Sequence, residues 1–337
     1  MLICSLAATL SAGQAAFADE IGCFSIDDAE HWGFFVFPGA SANNTVVTVP
    51  SFSGTVRRIF VEGTIKEVND EAWVSSIRVQ PEGAGLAGYQ PGFQFSRQRS
   101  FDGTVDVSAT IYAPGGVDFS GPIEFEMYSI DSEQFVPGLD ATSNLTYSLD
   151  DSFGEGAVEY SGTLTADDLV YNRPQQFPSG SGFSAPFDIG ANPFYDVQPF
   201  FVDTPGRYDL ATATEFETAA AVYENSFDPS DPFANVLLTI GETRNVLRND
   251  GFDDLAFGDD AQGGVLLEVE LVPGVQYFHI TTAAYGPNDG QDGGPFVGDY
   301  TNVLSGAGNV TLGLIPEPGV AFSLLSVGAI ALRRRKS

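Results

Sequence analysis

Two acidic, glycine-turned segments concentrate the oxygen ligands of this sequence. Asn249-Asp250-Gly251-Phe252-Asp253-Asp254 and Asn288-Asp289-Gly290-Gln291-Asp292-Gly293 each place carboxylate and amide oxygens on a tight loop. Ca2+, a hard cation, takes six to eight oxygens, and alternating side chains on such a loop supply roughly three or four of them. Asp250, Asp253, Asp254, Asp289 and Asp292 are therefore the candidate metal ligands, and Ca2+ is the only cofactor the sequence puts forward. Neither segment has the EF-hand spacing with its closing Glu. Asn-Gly and Asp-Gly are hairpin residues in their own right, so a solvated turn is the more frequent use of the same residues.

Other chemistry is thinner. His31 and His279 are the only histidines, so a Ser-His-Asp triad would have to use one of them. No Walker loop, GxGxxG or HExxH occurs. His279 falls in the alternating Tyr277-Phe278-His279-Ile280, on the face opposite Phe278 and Ile280, where the pattern predicts a histidine at the strand surface. His31-Trp32 precedes Phe34, Phe35 and Phe37, which could seed a strand or form an aromatic sugar platform. Core packing is the commoner fate of such rings. Paired carboxylates flanking a sugar bond would make a glycosidase, but 45 Asp and Glu single out no pair. No residue is assigned a catalytic role, and the expectation is a protein that is not an enzyme.

The charge balance sets 14 Lys and Arg against 45 Asp and Glu, a net −31 with a pI near 4.1. Such a surface repels phosphate backbones, which argues against nucleic acid as a partner. Hydrophobic residues make up 43%, enough for packed cores, and 337 residues suggest two domains.

Both ends read as addresses. Met1 to Ala16 is apolar or small apart from Gln14, and Ala16-Phe17-Ala18 offers the small-x-small pattern that signal peptidase cuts, before Asp19. The first cation is Arg57, so the usual basic n-region is missing, as a misplaced start codon would cause. Removal of the signal takes Cys4 and leaves Cys23 as the mature chain's one thiol. At the other end Pro316-Glu317-Pro318 precedes an apolar or small stretch, Gly319 to Leu332, and then Arg333-Arg334-Arg335-Lys336. A helix of that length spans about 21 Å, short of a hydrocarbon core about 30 Å thick. The basic cluster would stay on the cytoplasmic side.

These three C-terminal elements closely resemble the PEP-CTERM sorting signal of exosortase substrates. The resemblance covers about Ile315 to Ser337 and implies a multipass exosortase-type membrane protease as partner, recognising Pro316, Glu317, Pro318 and the tail Arg333, Arg334, Arg335 and Lys336. It also implies transient inner-membrane anchoring, then a place at the cell surface, in the outer envelope or in an extracellular matrix with exopolysaccharide. Removing both ends leaves a mature chain of net charge −34, since only Arg333 to Lys336 and Glu317 are lost among charged residues.

Between the ends, period-two runs of β-branched and aromatic residues alternate with Gly, Pro, Asn and Asp. The first half predicts strands near Thr45–Val49, Gly54–Val68, Trp73–Val79, Thr104–Tyr112, Ile123–Ile130 and Leu145–Leu149. Thr104–Tyr112 alternates cleanly, one face wet and one buried. A strand-like run follows at Ala157–Thr165. The second half predicts Tyr208–Thr214, Ala219–Tyr223, Val236–Ile240, Val265–Val272, Gln276–Thr282 and Val310–Leu314. Ala166 to Pro199 is aperiodic, rich in Pro, Gly, Ser and Phe, and reads as an arm packed along the second domain. The expected fold is all-β: two tandem antiparallel, jelly-roll-like β-sandwiches with Phe filling the cores, an N-terminal signal helix and a short C-terminal transmembrane helix. The divisions are 1–18, 19–160, 161–314 and 315–337.

The second half resembles the pre-peptidase C-terminal type of bacterial β-sandwich. The likeness rests on Asp168-Leu169-Val170-Tyr171-Asn172-Arg173-Pro174, Gly206-Arg207-Tyr208-Asp209-Leu210, Ala221-Val222-Tyr223 with Ser226-Phe227-Asp228-Pro229, Asn235-Val236-Leu237, Pro273-Gly274-Val275-Gln276-Tyr277 and Gly298-Asp299-Tyr300. Gly241-Glu242-Thr243 stands where that module carries Asp-Asp, and Asp253-Asp254 and Asp259-Asp260 come later. Together these features predict a non-catalytic exported protein with a structural or adhesive role, the alternative being a carbohydrate- or Ca2+-dependent binding module.

Overall fold

A computed structural model describes residues 20–33, 45–49, 54–67, 77–82, 93–94, 103–118, 123–129, 138–176, 183–184, 192–214, 216, 218–241, 265–283 and 296–315. The described residues form an all-β protein of several sheets, without a helix. The segments expected as signal and membrane helices lie outside them. No helix among the described residues is long and apolar enough to cross a membrane.

The first half contributes β1 (Glu20–Gly33), β2 (Thr45–Val49), β3 (Thr55–Glu67), β4 (Ile77–Glu82), β5 (Phe93–Gln94), β6 (Thr104–Asp118), β7 (Ile123–Ser129) and β8 (Gly138–Asp150). A two-sheet sandwich is expected here, whereas these strands belong to one eight-stranded sheet in the order β5-β4-β7-β1-β8-β3-β6, with β2 on β7. All pairings are antiparallel except β1 with β7. Its buried face follows the pleat: Ile59, Val61 and Ile65 of β3, Val107, Ala109 and Ile111 of β6, and Leu145, Tyr147 and Leu149 of β8. Phe24 stacks on Tyr147 with ring centroids 4.6 Å apart.

The long strands exceed what local pattern predicts. β8 begins seven residues before Leu145, and β6 continues through Pro114-Gly115-Gly116, where both glycines take positive φ (79° and 78°) that lets the strand bend and run on. β1 carries acidic Asp27-Asp28 at a bulge, with Asp28 at φ 53° and its amide donating to Asn144 Oδ1 at 2.9 Å.

The second half contributes β9 (Val158–Leu164), β10 (Gln175–Gln176), β11 (Phe183–Ser184), β12 (Tyr195–Val202), β13 (Gly206–Thr214), β14 (Thr218–Glu224), β15 (Val236–Gly241), β16 (Val265–Leu271), β17 (Tyr277–Ala283), β18 (Gly298–Gly306) and β19 (Val310–Leu312). Here two antiparallel sheets face each other as a β-sandwich: β15-β14-β17-β12-β19 and β16-β13-β18-β9. Phe200, Tyr208, Leu210, Val222, Leu267, Tyr277 and Leu304 fill the space between them. Tyr160, the expected division point, sits inside β9, whose whole length pairs with β18.

Both sheets of this sandwich are covered on their outer faces too. Tyr171, Tyr195, Tyr223 and Ile280, with Phe227 against them, cap the five-stranded sheet. Ala211, Ala213, Leu266 and Val303 of the other sheet meet Tyr112 and Phe153 of the first half. Among the described residues the largest fully buried side chains are Tyr147, Tyr208, Tyr223 and Tyr277 with Phe200 and Phe216. Tyrosine can reach a polar partner from inside a core: Tyr223 donates to the Pro232 carbonyl (2.9 Å) and Tyr208 to that of Thr204 (2.9 Å).

Candidate functional site

The candidate Ca2+ ligands Asp250, Asp253, Asp254, Asp289 and Asp292 lie outside the described residues, as do Ala16, Ala18, Pro316, Glu317, Pro318 and the basic tail. Among the described residues no three His, Cys, Asp or Glu side chains converge as a group that could hold a metal. His31 and Trp32 lie in β1, opposite Ala141 and Leu139 of β8. Cys23 is half-buried in β1, opposite Ser148.

The described titratable and polar side chains instead converge inside the second sandwich. His279 is expected on a wet strand face; its relative exposure is 0%. The side assignment holds, because Phe278 and Ile280 point to the outer aromatic layer while His279 points between the sheets. The wet face does not exist, because β17 lies between β14 and β12 in a sheet covered on both sides.

Tyr160 reaches His279 from β9 of the opposite sheet, its hydroxyl 2.8 Å from Nδ1 and its ring edge-on to the imidazole. Burial, reinforced by neighbouring Tyr300 and Asp196, holds the Tyr160 hydroxyl well above the ordinary tyrosine range. It therefore keeps its proton and donates it to Nδ1, which assigns the His279 proton to Nε2. Thr281 gives the Tyr160 oxygen a hydrogen bond and accepts one from Asn302 Nδ2 at 3.0 Å. The Asn302 carbonyl oxygen accepts in turn from Thr212.

The bonds run in one direction, Thr212 to Asn302 to Thr281 to Tyr160 to His279, so each donor polarises the next. These side chains link β13, β18 and β9 of one sheet to β17 of the facing sheet. The string stops at His279 Nε2, which is buried and has no partner among the described residues. With no compensating bond, burial pushes the imidazole down to about 3, and it is neutral at physiological pH. Among the described residues the ring's hydrogen-bond partner is a tyrosine of the facing sheet, not the Ser and Asp of a triad. At the mouth of the sandwich Tyr300 donates to Asp196, an exposed carboxylate.

A second polar concentration joins the two halves. Arg58 forks onto Asp150 Oδ2 through Nε (2.9 Å) and Nη2 (2.7 Å) and reaches the Phe153 carbonyl with Nη1 (3.4 Å). Ser305 of β18 donates to the same carbonyl at 2.8 Å. Tyr112 of β6 donates to Asp209 of β13 at 2.9 Å, and burial raises that carboxyl despite the bond. Arg57 pairs with Glu159 at 2.9 Å, and Glu159 also accepts the Gly115 amide at 2.6 Å. The sequence held one signal for this junction: Arg57-Arg58 are adjacent cations in a chain that has few.

No family model matches the chain, and no curated protein matches it. Among solved structures, PNGase F, a glycosylasparaginase from Flavobacterium meningosepticum, aligns at a TM-score of 0.27 with 10% identity, over 87% of this chain and 100% of that one. The N-terminal CBM22-1-CBM22-2 tandem domain from Paenibacillus barcinonensis Xyn10C aligns at 0.22 with 9% identity, over 90% and 100%. Likeness at this level assigns neither a family nor an activity.

Proposed function

We propose that this chain is a non-catalytic exported protein of the cell surface or extracellular matrix, matured at both ends, with a structural or adhesive role. One observation carries the reading: Pro316-Glu317-Pro318, the apolar Gly319 to Leu332 and Arg333 to Lys336 follow one another in order at the C-terminus, the arrangement of a PEP-CTERM signal. Such a tail stalls an exported chain in the membrane with the Pro-Glu-Pro segment outside, where a membrane protease can cut it. The N-terminal small-x-small site at Ala16 and Ala18 supports the same route. A net charge of −31 keeps such chains soluble and mutually repelling. Intact mass and terminal sequencing of the protein from the native cell surface and medium test it. The expected chain starts near Asp19 and ends near Pro316; a full-length chain in the inner membrane overturns the reading.

A binding module is the second reading, and one observation favours it. The two Asp-Gly segments occupy the connections after β15 and after β17. Gly241 and Ala283, where those strands end, pair with Ala219 and Thr218 at the start of β14. Both connections therefore leave the same end of the sandwich, the end that bears Asp196 and Tyr300. Calcium titration of the purified protein, followed by tyrosine fluorescence and by glycan binding with and without chelator, is expected to show saturable, chelator-reversible change under this reading and none for a passive scaffold.

A further inference from the structure

The second sandwich closes its C-terminal edge with one side chain. Gln276, just before β17, accepts the Ile315 amide on Oε1 at 2.6 Å. Its Nε2 faces the carbonyls of Phe200 (2.9 Å), Tyr277 (3.1 Å) and Gly313 (3.2 Å), so two protons serve three acceptors and at least one bond is shared. Gly313 also donates its amide to the Pro199 carbonyl at 2.7 Å, in a φ of 112° that side chains other than glycine's rarely allow. The main chain is thus tied at Gly313 and Ile315, beyond the edge strand β19, while Leu314 between them is 67% exposed. Ile315 is the residue before Pro316.

We propose that Gln276 is a latch on maturation: by tying Ile315 it withholds slack from Pro316-Glu317-Pro318, and its release governs processing there. The inference rests on the reading of the C-terminal segment as a processed sorting signal. A protease takes its substrate as an extended strand whose main-chain groups pair with the enzyme. The bond cut is a peptide bond, with water giving its hydroxyl to the new carboxylate and its proton to the released amine. On the N-terminal side of the motif those main-chain groups are already engaged by Gln276 and Pro199. Releasing Gly313, Leu314 and Ile315 adds about 10 Å of reach, at 3.3–3.6 Å per extended residue. Because β19 is the edge strand of its sheet among the described residues, the latch opens without breaking a central strand.

The test compares the wild-type full chain, Gln276→Ala, and a chain with Gly-Ser-Gly-Ser inserted between Ile315 and Pro316. Two readouts are taken: pulse–chase of the precursor in the native host, and hydrogen exchange of the Ile315 amide in the purified chain. In Gln276→Ala the amide is expected to exchange roughly tenfold faster, the population change that one lost hydrogen bond allows. Precursor half-life is expected to fall several-fold. The insert should give the same acceleration with Gln276 intact and add little to Gln276→Ala. Gln276→Met, of similar length and without polar atoms to donate, replaces Gln276→Ala if the latter fails to fold. Equal exchange in variant and wild type overturns the latch. Faster exchange with an unchanged half-life reduces it to a structural clasp and overturns its role in maturation. A wild-type chain that is never processed sinks the sorting reading, and with it that role, while the exchange rates still report on the clasp.

Discussion

Lowering the pH from 7.5 to 4.5 is expected to cost the second sandwich about 3 kcal/mol through His279 alone. The imidazole is fully buried, and its value in the folded chain lies near 3 against 6.5 for an exposed histidine. Between those values the unfolded chain binds a proton that the folded chain refuses. Stability is therefore complete above about pH 6.5 and falls as the pH drops, by about 1.4 kcal/mol per unit until about pH 3. Relief of charge repulsion in a chain of net charge −31 acts in the opposite sense as carboxylates protonate. The His279 contribution is the difference between wild type and His279→Gln, whose amide does not titrate and can still accept from Tyr160. Urea unfolding of both chains at steps from pH 7.5 to 4.5 should show that difference growing with acid. A difference that stays constant across the range would mean that water or a neighbouring group reaches Nε2 and that the ring titrates normally in the fold.

Arg58→Ala is expected to cost about 3 kcal/mol, because it leaves Asp150 charged and enclosed without its partner. The Asp150 side chain is 4% exposed and the Arg58 side chain 15%, so solvent screens the pair little. The two parallel contacts from Nε and Nη2 fix the guanidinium, and Nη1 reaches the Phe153 carbonyl, which Ser305 holds from the other half of the protein. Replacing both partners, Arg58→Met with Asp150→Leu, is expected to recover most of the loss, since neither member then leaves a buried charge behind. Ser305 continues to satisfy the Phe153 carbonyl in that double variant. Urea midpoints for the single and double variants at pH 7 check this. A single variant within about 1 kcal/mol of wild type would place the pair among ordinary surface ion pairs.

Much of the strand inventory is legible in the sequence because β-strands announce themselves locally. Thr45–Val49 matches β2 residue for residue, Ile123–Ile130 runs one residue past β7, and Ala219–Tyr223 falls one residue short of β14 at each end. In β6 the odd-numbered Val107, Ala109 and Ile111 are buried and Asp106 and Ser108 exposed, as strict alternation requires. Failures occur where that rule loses its premise. Tyr112 continues the wet row of β6 and is buried, because the second half packs on it and Asp209 accepts from its hydroxyl. His279 fails for the same reason, in a strand covered on both faces.

β12 begins inside Ala166 to Pro199, the stretch that reads as an aperiodic arm, and carries Pro199 within it. Pro199 sits opposite Phe278 of β17, and on its other side only its carbonyl is used, accepting the Gly313 amide. The partner strand asks for no N–H there, a fact invisible until β19 is in place. The candidate site was less legible than the fold. Thr212, Asn302, Tyr160 and the β17 pair His279 and Thr281 come from distant parts of the sequence, and of them only His279, one of two histidines, stands out there. They become one hydrogen-bonded string only when β9 pairs with β18 and the two sheets close.

By itself, then, the sequence determined the all-β class and many of the period-two strands, because backbone preference and alternation act over a few residues. Which faces meet, which carbonyl finds which donor, and that one histidine must stay neutral were decided by tertiary structure alone. Those outcomes depend on desolvation by residues distant in the chain, and no local pattern encodes it.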